Sequence, residues 1–235
     1  MNNSQQISIG GNYKTKNNWV YGIEFFYKKQ KNIIDNTVVY TGITNGAVEL
    51  DNTLGYDGKL KAYGVELECN ISFKKITIES SYTYTDSKTS FSGIQQGNQF
   101  RTNFLRPHSF KMNLNFAASK KWNIFLKSIW MSGQPFTAAI NAFYDNANQV
   151  NYIYGNRNNG TYPSYFRTDI GANYYKSKKS TFSIHIYNIT AKRNPFYIYL
   201  KEIPYTGEPN YSSSGYFDSV LYTILPSISY SIKIL

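Results

Sequence analysis

The sequence contains little of what builds a membrane helix, a disulfide framework or a metal centre. No run of about 18 apolar residues occurs, which excludes a membrane-spanning helix. Cys69 is the single cysteine, so no internal disulfide can form and the paired cysteines of a zinc site are absent. The sequence also has no glycine-rich phosphate loop and no cluster of metal ligands. An enzyme that depends on one of these motifs is therefore not indicated.

Acidic residues are also scarce, with 14 Asp and Glu against 25 Lys and Arg and a net charge of +11. A basic excess of this size first suggests a nucleic-acid partner. Many lysines, however, lie in short polar turns and not along one helix or groove. These are Lys14 and Lys16, Lys74 and Lys75, Lys120 and Lys121, and the lysines of the segment 176–179. We therefore expect no nucleic-acid partner.

Aromatic residues are abundant, and they alternate with polar residues. Tyr, Phe and Trp make up 17% of the chain, a composition that suits strands. The clearest pattern lies in residues 164–188, where two alternating runs flank a turn of lysines and serines. Its apolar row is Phe166, Thr168, Ile170, Ala172 and Tyr174, continued by Phe182, Ile184 and Ile186. Period-two alternation around a short turn predicts an antiparallel hairpin.

The same alternation recurs along the whole chain and predicts about nine strands. Apolar rows occupy alternate positions within residues 7–13, 19–27, 63–73, 76–84, 110–116, 122–130, 166–174, 182–186 and 228–234. Short turns recur near residues 16, 74, 120 and 178, whereas the segments 32–58, 86–105, 132–163 and 189–219 are predicted as long loops. Bacterial outer-membrane barrels have short periplasmic turns and long extracellular loops. The predicted fold is all-β, a partial antiparallel transmembrane β-barrel.

The spacing of aromatic residues agrees with the height of a membrane. Trp19 and Tyr27, like Trp122 and Trp130, are eight residues apart on one face. Eight residues of a strand tilted by about 40° climb roughly 20 Å, close to an apolar band about 25 Å tall. The alternative is a soluble sandwich with aromatic core faces. Against it, almost every apolar face would point outward, where a soluble sheet of this size needs polar residues.

Six strings in order resemble pieces of one known barrel. They are LKAYGVELECN (60–70), LRPHSFKMNLNF (105–116), WMSGQPFT (130–137), YPSYFRTDIGANY (162–174), IYNITAKRNPFYIY (186–199) and LPSISYSIKI (225–234). Together they are similar to the carboxyl-terminal barrel half of TonB-dependent outer-membrane receptors, especially those of Bacteroidota. The resemblance implies a 22-strand barrel around an amino-terminal plug. It also implies uptake of a siderophore, corrinoid, glycan or peptide that is driven by a TonB-type energy transducer.

The sequence departs from this pattern in ways that predict a fragment. Residues 1–235 correspond to the carboxyl-terminal barrel alone, without the plug, the transducer-contacting segment, the first dozen or so strands or an export signal. The customary terminal aromatic residue is replaced by Ile234, followed by Leu235. We expect an outer-membrane location, with membrane lipid and the missing amino-terminal portion as partners and no cofactor. The transducer would be reached only through that missing portion.

Four charged residues are the candidate site residues: Glu66, Glu68, Arg167 and Asp169. On the barrel interpretation they point inward and would meet the plug or water in a whole receptor. A solvated lumen wall is the simpler interpretation, and ligand contact is the other.

Three further residues carry side chains that are capable of chemistry. His185 shares the polar face with Ser183, which suggests a serine hydrolase, but no third partner can be identified. His108 follows Pro107 at a strand start and is expected to be structural. Cys69 is expected to act as a small apolar residue on the lipid face.

The predicted function is therefore that of a transport-receptor fragment and not of an enzyme. Two alternatives stay open: a structural or adhesive outer-membrane β-protein, and an inactive truncated gene product.

Overall fold

The fold is given by a computed structural model that describes residues 2–44, 47–144, 150–195, 197–200, 216–219 and 223–234. Apart from a single 3-10 turn at Gln95–Gly97, the regular structure of these residues is all β. The strands are β1 (Asn3–Lys14), β2 (Val20–Thr44), β3 (Ala47–Phe73), β4 (Ile76–Ser90), β5 (Phe100–Arg101), β6 (His108–Phe116), β7 (Trp122–Met131), β8 (Pro135–Phe136), β9 (Ala139–Tyr144), β10 (Val150–Tyr154), β11 (Gly160–Thr161), β12 (Tyr165–Ser177), β13 (Ser180–Tyr187), β14 (Tyr197–Leu200), β15 (Tyr216–Ser219) and β16 (Leu225–Ile232). None of the described helices is long and apolar enough to cross a membrane.

One antiparallel sheet organises the described residues. Its nine main strands follow in the order β1, β2, β3, β4, β6, β7, β12, β13 and β16, with β5 added to β4. Neighbours in the sheet are neighbours along the chain once the small pairs β8–β11, β9–β10 and β14–β15 are set aside. The predicted count of about nine strands and the predicted antiparallel order are confirmed.

The register of the sheet places the predicted apolar rows on a single face. One row crosses Leu114, Leu126, Ile170 and Ile186, each directly opposite the next. A second row crosses Ile9, Phe25, Val65 and Tyr84. Because directly opposed residues of an antiparallel pair share a face, the nine strands form one continuous apolar surface.

This apolar surface is exposed. Ile9 is 75% exposed and Ile228 is 70% exposed, and most of the large exposed hydrophobic residues belong to the same rows. A soluble sandwich would bury these rows between two layers. The sandwich alternative is therefore wrong for the described residues, and the apolar rows are exposed, as a membrane barrel requires.

Aromatic clusters mark both ends of the apolar surface. Near the short turns, the ring centroids of Trp122 and Tyr174 lie 4.9 Å apart. Near the long loops, His108 lies between Tyr84, at 5.3 Å between ring centroids, and Trp130, at 6.4 Å. The hydroxyl of Tyr82 lies 2.8 Å from His108 Nδ1. His108 is therefore a structural member of an aromatic girdle, as its position after Pro107 predicts.

The segment 32–58, predicted as a loop, is instead the continuation of a long hairpin. β2 and β3 stay paired from Val20–Asn70 to Thr44–Ala47, with irregularities at 31–33, 33–35 and 40–42. Strands are predicted here from rows of apolar residues, but a strand needs such a row only where one of its faces is buried. Two polar strands that pair with each other still satisfy their backbone N–H and C=O groups. The prediction of a loop was therefore wrong here.

The other predicted loops hold short strands and a small core. β4 runs to Ser90, past the predicted loop start at residue 86, and β8 to β11 lie within the predicted loop 132–163. The buried cluster of Phe91, Ile94 and Phe100 lies at this end of the sheet, with Ile33 packed against it. Of the predicted loop 189–219, residues 201–215 lie outside the described residues.

Glycine opposite phenylalanine recurs on the polar face. Gly171 faces Phe125 across β12 and β7, and a Cβ at Gly171 would lie 2.3 Å from the Phe125 ring. Gly64 faces Phe26 across β3 and β2, and its Cβ would lie 2.7 Å from that ring. Each glycine leaves room for the ring that covers it. This pairing explains why Phe125 departs from the apolar row of β7.

Candidate functional site

The polar face of the sheet carries three carboxylates at its β1 side. Glu24 and Glu66 are directly opposite each other, and Glu68 is opposite Gly22. With Gly10 and Gly22 they line a groove of about 300 Å³. No group of three His, Cys, Asp or Glu side chains in the described residues is arranged to hold a metal ion. The predicted site residues Glu66 and Glu68 thus lie in an open acidic groove.

Arg167 and Asp169, the other predicted site residues, form an ion pair in which the carboxylate is buried and the guanidinium is partly buried. Arg167 Nη2 lies 3.1 Å from Asp169 Oδ2, and the Asp169 side chain is only 4% exposed. Arg167 also donates to the Tyr187 hydroxyl at 3.0 Å and the Tyr165 hydroxyl at 3.3 Å, and its guanidinium stacks 4.4 Å from the Tyr187 ring centroid. With its carboxylate and both phenols engaged, this pair holds the neighbouring side chains in position.

The segment that follows β13 is hydrogen-bonded to β12 near the same ion pair. Asn188, which is 1% exposed, donates its backbone N–H to Asp169 Oδ1 at 2.9 Å and its side-chain amide to the carbonyls of Lys192 and Thr223. Asn194 makes two bonds to the backbone of Phe166, accepting at 2.9 Å and donating at 2.8 Å. The side-chain amide of Asn194 therefore replaces a neighbouring strand at the end of β12.

The two predicted pairs of site residues are not brought together. Glu66 lies on β3 and Arg167 on β12, four strands apart in the sheet. At about 4.8 Å per strand this separation is roughly 19 Å along the sheet. The acidic groove and the ion pair are consequently two separate features of one wall.

A cavity of about 420 Å³ lies at the long-loop end of the polar face, above the ion pair. Its lining residues are Arg106, Met131, Gln134, Tyr162, Pro163, Tyr165 and Pro195. Met131 and Tyr165 are directly opposite each other at the ends of β7 and β12. They belong to the polar set of alternate positions that includes Arg167, so the cavity opens on the polar face.

Backbone contacts fix the walls of this cavity. Tyr162 donates its N–H to the carbonyl of Gln134 at 2.9 Å, and β8 pairs with β11 beside it. A Cβ at Gly133 would lie 1.6 Å from the Tyr162 carbonyl oxygen, so only glycine permits this approach. The Tyr162 ring packs edge-on against Phe136, with ring centroids 4.9 Å apart.

Arg106 is the charged residue of the cavity. Nη1 donates to the Ser132 carbonyl and Nη2 to Gln134 Oε1, both at 3.0 Å. Burial lowers the pKa of the Arg106 guanidinium from its ordinary value, and the group stays protonated at neutral pH. None of the carboxylates in the described part of the chain forms an ion pair with it. Among the described residues, the cavity therefore holds a partly buried positive charge that is bonded to the neutral acceptors Ser132 and Gln134.

A second set of bonds joins the loop of residues 91–107 to the loop of residues 132–164. Arg101 donates to the carbonyls of Asn158 at 2.8 Å and Gly160 at 3.1 Å and to Thr161 Oγ1 at 3.0 Å. Asn158 Nδ2 donates back to the Arg101 carbonyl and to Asn103 Oδ1. The two loops are thereby connected into one unit.

His185 lies on the polar face opposite Gly171, with its ring centroid 5.8 Å from that of Phe125. The imidazole therefore packs against an aromatic ring, and the contact supplies no third member for a hydrolase site with Ser183.

A family model described as TonB dependent receptor-like, beta-barrel, matches residues 3–189, most of the chain. The chain belongs to this TonB-dependent receptor family. The family consists of receptors and not of enzymes, and its members lie in the outer membrane of Gram-negative bacteria. The resemblance to TonB-dependent receptors is confirmed, whereas the likeness to those of Bacteroidota stays a prediction. No curated protein sequence matches this chain.

Solved TonB-dependent receptors share the fold. The ferric yersiniabactin uptake receptor FyuA of Yersinia pestis is 16% identical, with a TM-score of 0.66 over 100% of this chain and 30% of its own. The pyoverdine receptor FpvA of Pseudomonas aeruginosa is 16% identical, with a TM-score of 0.59; the match covers 99% of this chain and 30% of the receptor. The ferric-catecholate receptor Fiu of Escherichia coli is 13% identical, with a TM-score of 0.58; the match covers 98% of this chain and 27% of the receptor. The chain thus spans less than a third of these receptors.

Sequence reasoning did not identify Arg106, Arg101 or Asn158. Arg106 lies in the string 105–116, which contributes only to the family resemblance, and Asn158 lies within the predicted loop 132–163. The signal available in the sequence for Arg106 was an arginine with no acidic residue near it in the chain.

Proposed function

We propose that this chain forms nine strands in the carboxyl-terminal part of the barrel of an outer-membrane transporter that takes up a solute with energy from a TonB-type transducer. One observation carries the proposal: nine antiparallel strands present a continuous exposed apolar face, with short turns at one edge and interlocked loops at the other. The apolar face suits membrane lipid, and the interlocked loops suit solute capture from outside. Contact with the transducer would depend on the plug and barrel portion that the family's whole receptors possess.

A siderophore is the solute that the comparisons support best. The solved receptors above are named for yersiniabactin, pyoverdine and ferric catecholates. Corrinoids, glycans and peptides are the other classes to test. In this proposal Glu66 and Glu68 face the lumen or the plug as a hydrated acidic wall, and Arg167 and Asp169 hold the lumen wall below the cavity.

The test is solute uptake by cells that carry the whole receptor gene. Cells with the gene intact are compared with cells that lack the codons for residues 3–189 and with cells that lack the transducer. Uptake is measured with iron-labelled siderophores, a labelled corrinoid, oligosaccharides and peptides. We expect uptake of one class to be lost in both altered strains. Unchanged uptake of all four classes contradicts the proposal.

A structural or adhesive role is the second candidate, favoured by the long β2–β3 hairpin. Lys31 to Thr44 continues as a strand past the aromatic girdle. At about 3.3 Å per residue, these 14 residues reach roughly 45 Å. An adhesive protein would lose surface attachment, and not uptake, when residues 32–58 are removed. A chain absent from the outer-membrane fraction would instead indicate an inactive gene product.

A further inference from the structure

The cavity at Arg106 combines a positive charge that has no acidic partner among the described residues with walls that are about equally polar and apolar. A guanidinium has five N–H donors in one plane. Two nitrogen atoms of Arg106 are engaged by the neutral oxygens of Ser132 and Gln134. Donors remain for a further acceptor, and charge-assisted bonds from arginine to an oxyanion are the strong ones.

The walls of the cavity determine what kind of oxyanion fits. Tyr162, Tyr165, Pro163 and Pro195 contribute rings, and Met131 contributes an adaptable apolar side chain. The volume of about 420 Å³ falls in the range of small-molecule sites. We propose that this cavity binds an oxyanion, a carboxylate or phenolate, that is carried on an aromatic or apolar body.

This inference deepens the proposed function, because it rests on that function to make the bound group part of the transported solute. The cavity opens on the polar face, on the same side as Arg167. A lipid head group at the apolar face lies on the other side of the sheet. The ligand therefore comes from the aqueous side of the wall.

Two of the predicted site residues, Arg167 and Asp169, contact the wall of the cavity through Tyr165. Arg167 donates to the hydroxyl of Tyr165 and is itself held by Asp169. Asn194 fixes the segment that carries Pro195 onto Phe166. Arg167 and Asp169 are thus positioning residues for the Tyr165 wall, whereas Arg106 contacts the bound group.

The test compares an anionic probe with its neutral counterpart. The whole receptor in detergent is titrated with benzoate and with benzamide, which has the same shape and no charge, by ligand-observed NMR. We expect benzoate to bind at least about tenfold more tightly, since the two differ only in the charge that faces Arg106. Equal binding of the two probes to the native receptor overturns the proposal without any variant.

Variants then assign the preference to one residue. Arg106→Gln removes the preference for benzoate, and Arg106→Lys keeps part of it because lysine supplies the charge without the planar fork. Lys111→Gln is the matched control, because Lys111 also lies on the polar face, opposite Ile129, and does not line the cavity. A preference that survives in folded Arg106→Gln, or disappears in Lys111→Gln, overturns the assignment.

The cavity and the transport function fail in different ways. A receptor that prefers benzoate while taking up none of the four solute classes supports the cavity and contradicts transport. A receptor that transports a solute while binding benzoate and benzamide equally contradicts the cavity alone.

Discussion

Arg101 and Asn158 each donate a hydrogen bond to the other's backbone carbonyl, across two long loops. The residues are 57 positions apart in the sequence, and Asn158 is 5% exposed. Its backbone has a φ of 59°, in the left-handed region that asparagine tolerates better than most residues. This reciprocal contact makes the rim of the barrel wall one interlocked unit and not a set of independent loops.

Asn158→Ala should release the two loops from each other. The substitution removes both side-chain donations and leaves the Arg101 carbonyl without this donor, a loss of about 0.5–1.5 kcal/mol for each part-buried bond. Hydrogen exchange should rise in residues 98–106 and 156–161 and stay unchanged in β6 and β7. Asn156→Ala, at an exposed position two residues away, is the matched control. Equal protection from hydrogen exchange of both segments in the two variants would show that the contact does not stabilise the packing of the two loops.

The sheet was largely predictable from the sequence, because lipid imposes a strict rule on it. Rows such as Phe110 to Phe116 alternate cleanly since each strand has one face in hydrocarbon and one in water. The hairpin at 32–58 was missed because above the membrane neither face has to be apolar. The contacts of Arg101 and Arg106 could not be predicted, since they join loops whose approach depends on the whole sheet.

Gly133→Ala should be severely destabilising. The added methyl group would lie 1.6 Å from the Tyr162 carbonyl oxygen, a backbone atom that cannot rotate away. Overpacking of this kind costs about 1–3 kcal/mol or more. Gly11→Ala is the control, because a Cβ there meets nothing within 4 Å. The check is the denaturant midpoint of the receptor in detergent, and equal midpoints for the two variants would contradict the close approach.

Asp169→Asn should cost far more than Asp86→Asn. Asp169 is buried and compensates Arg167 at 3.1 Å, so its loss leaves a cation with only neutral partners. We expect a loss of about 1.5–3 kcal/mol in the free energy of unfolding. Asp86 lies 4.0 Å from Lys88, which is half-exposed, and such surface pairs contribute at most about 1 kcal/mol. Denaturant titration checks the difference, and similar losses for both would refute the structural role of the Arg167–Asp169 pair.

Acidification should loosen the loop that begins at Phe91. Hydrogen bonds from the Ser92 side chain and backbone lower the pKa of the Asp57 carboxyl, and Ser92 N lies 3.1 Å from Asp57 Oδ2. Because the folded-state pKa lies below the unfolded one, the stabilisation is complete above the unfolded pKa. It is lost as the pH falls through the folded-state pKa.

The measurement is the rate of hydrogen exchange at residues 92–94 as a function of pH. At each pH the rate in Asp57→Asn is divided by the rate in the native protein. This ratio should exceed one at neutral pH, where the native loop is better protected, and should approach one in acid. A ratio that does not change with pH would exclude Asp57 as the anchor.

The most direct test of the account is solvent accessibility along β6 in the intact outer membrane. Single cysteines at residues 110–116, in a Cys69→Ala background, carry spin labels whose contact with oxygen and with a water-soluble nickel complex is measured. The account predicts high oxygen contact at Phe110, Met112, Leu114 and Phe116 and high nickel contact at Lys111, Asn113 and Asn115. Apolar positions shielded from both reagents would mean that this face is packed inside protein, and would contradict the membrane-spanning barrel.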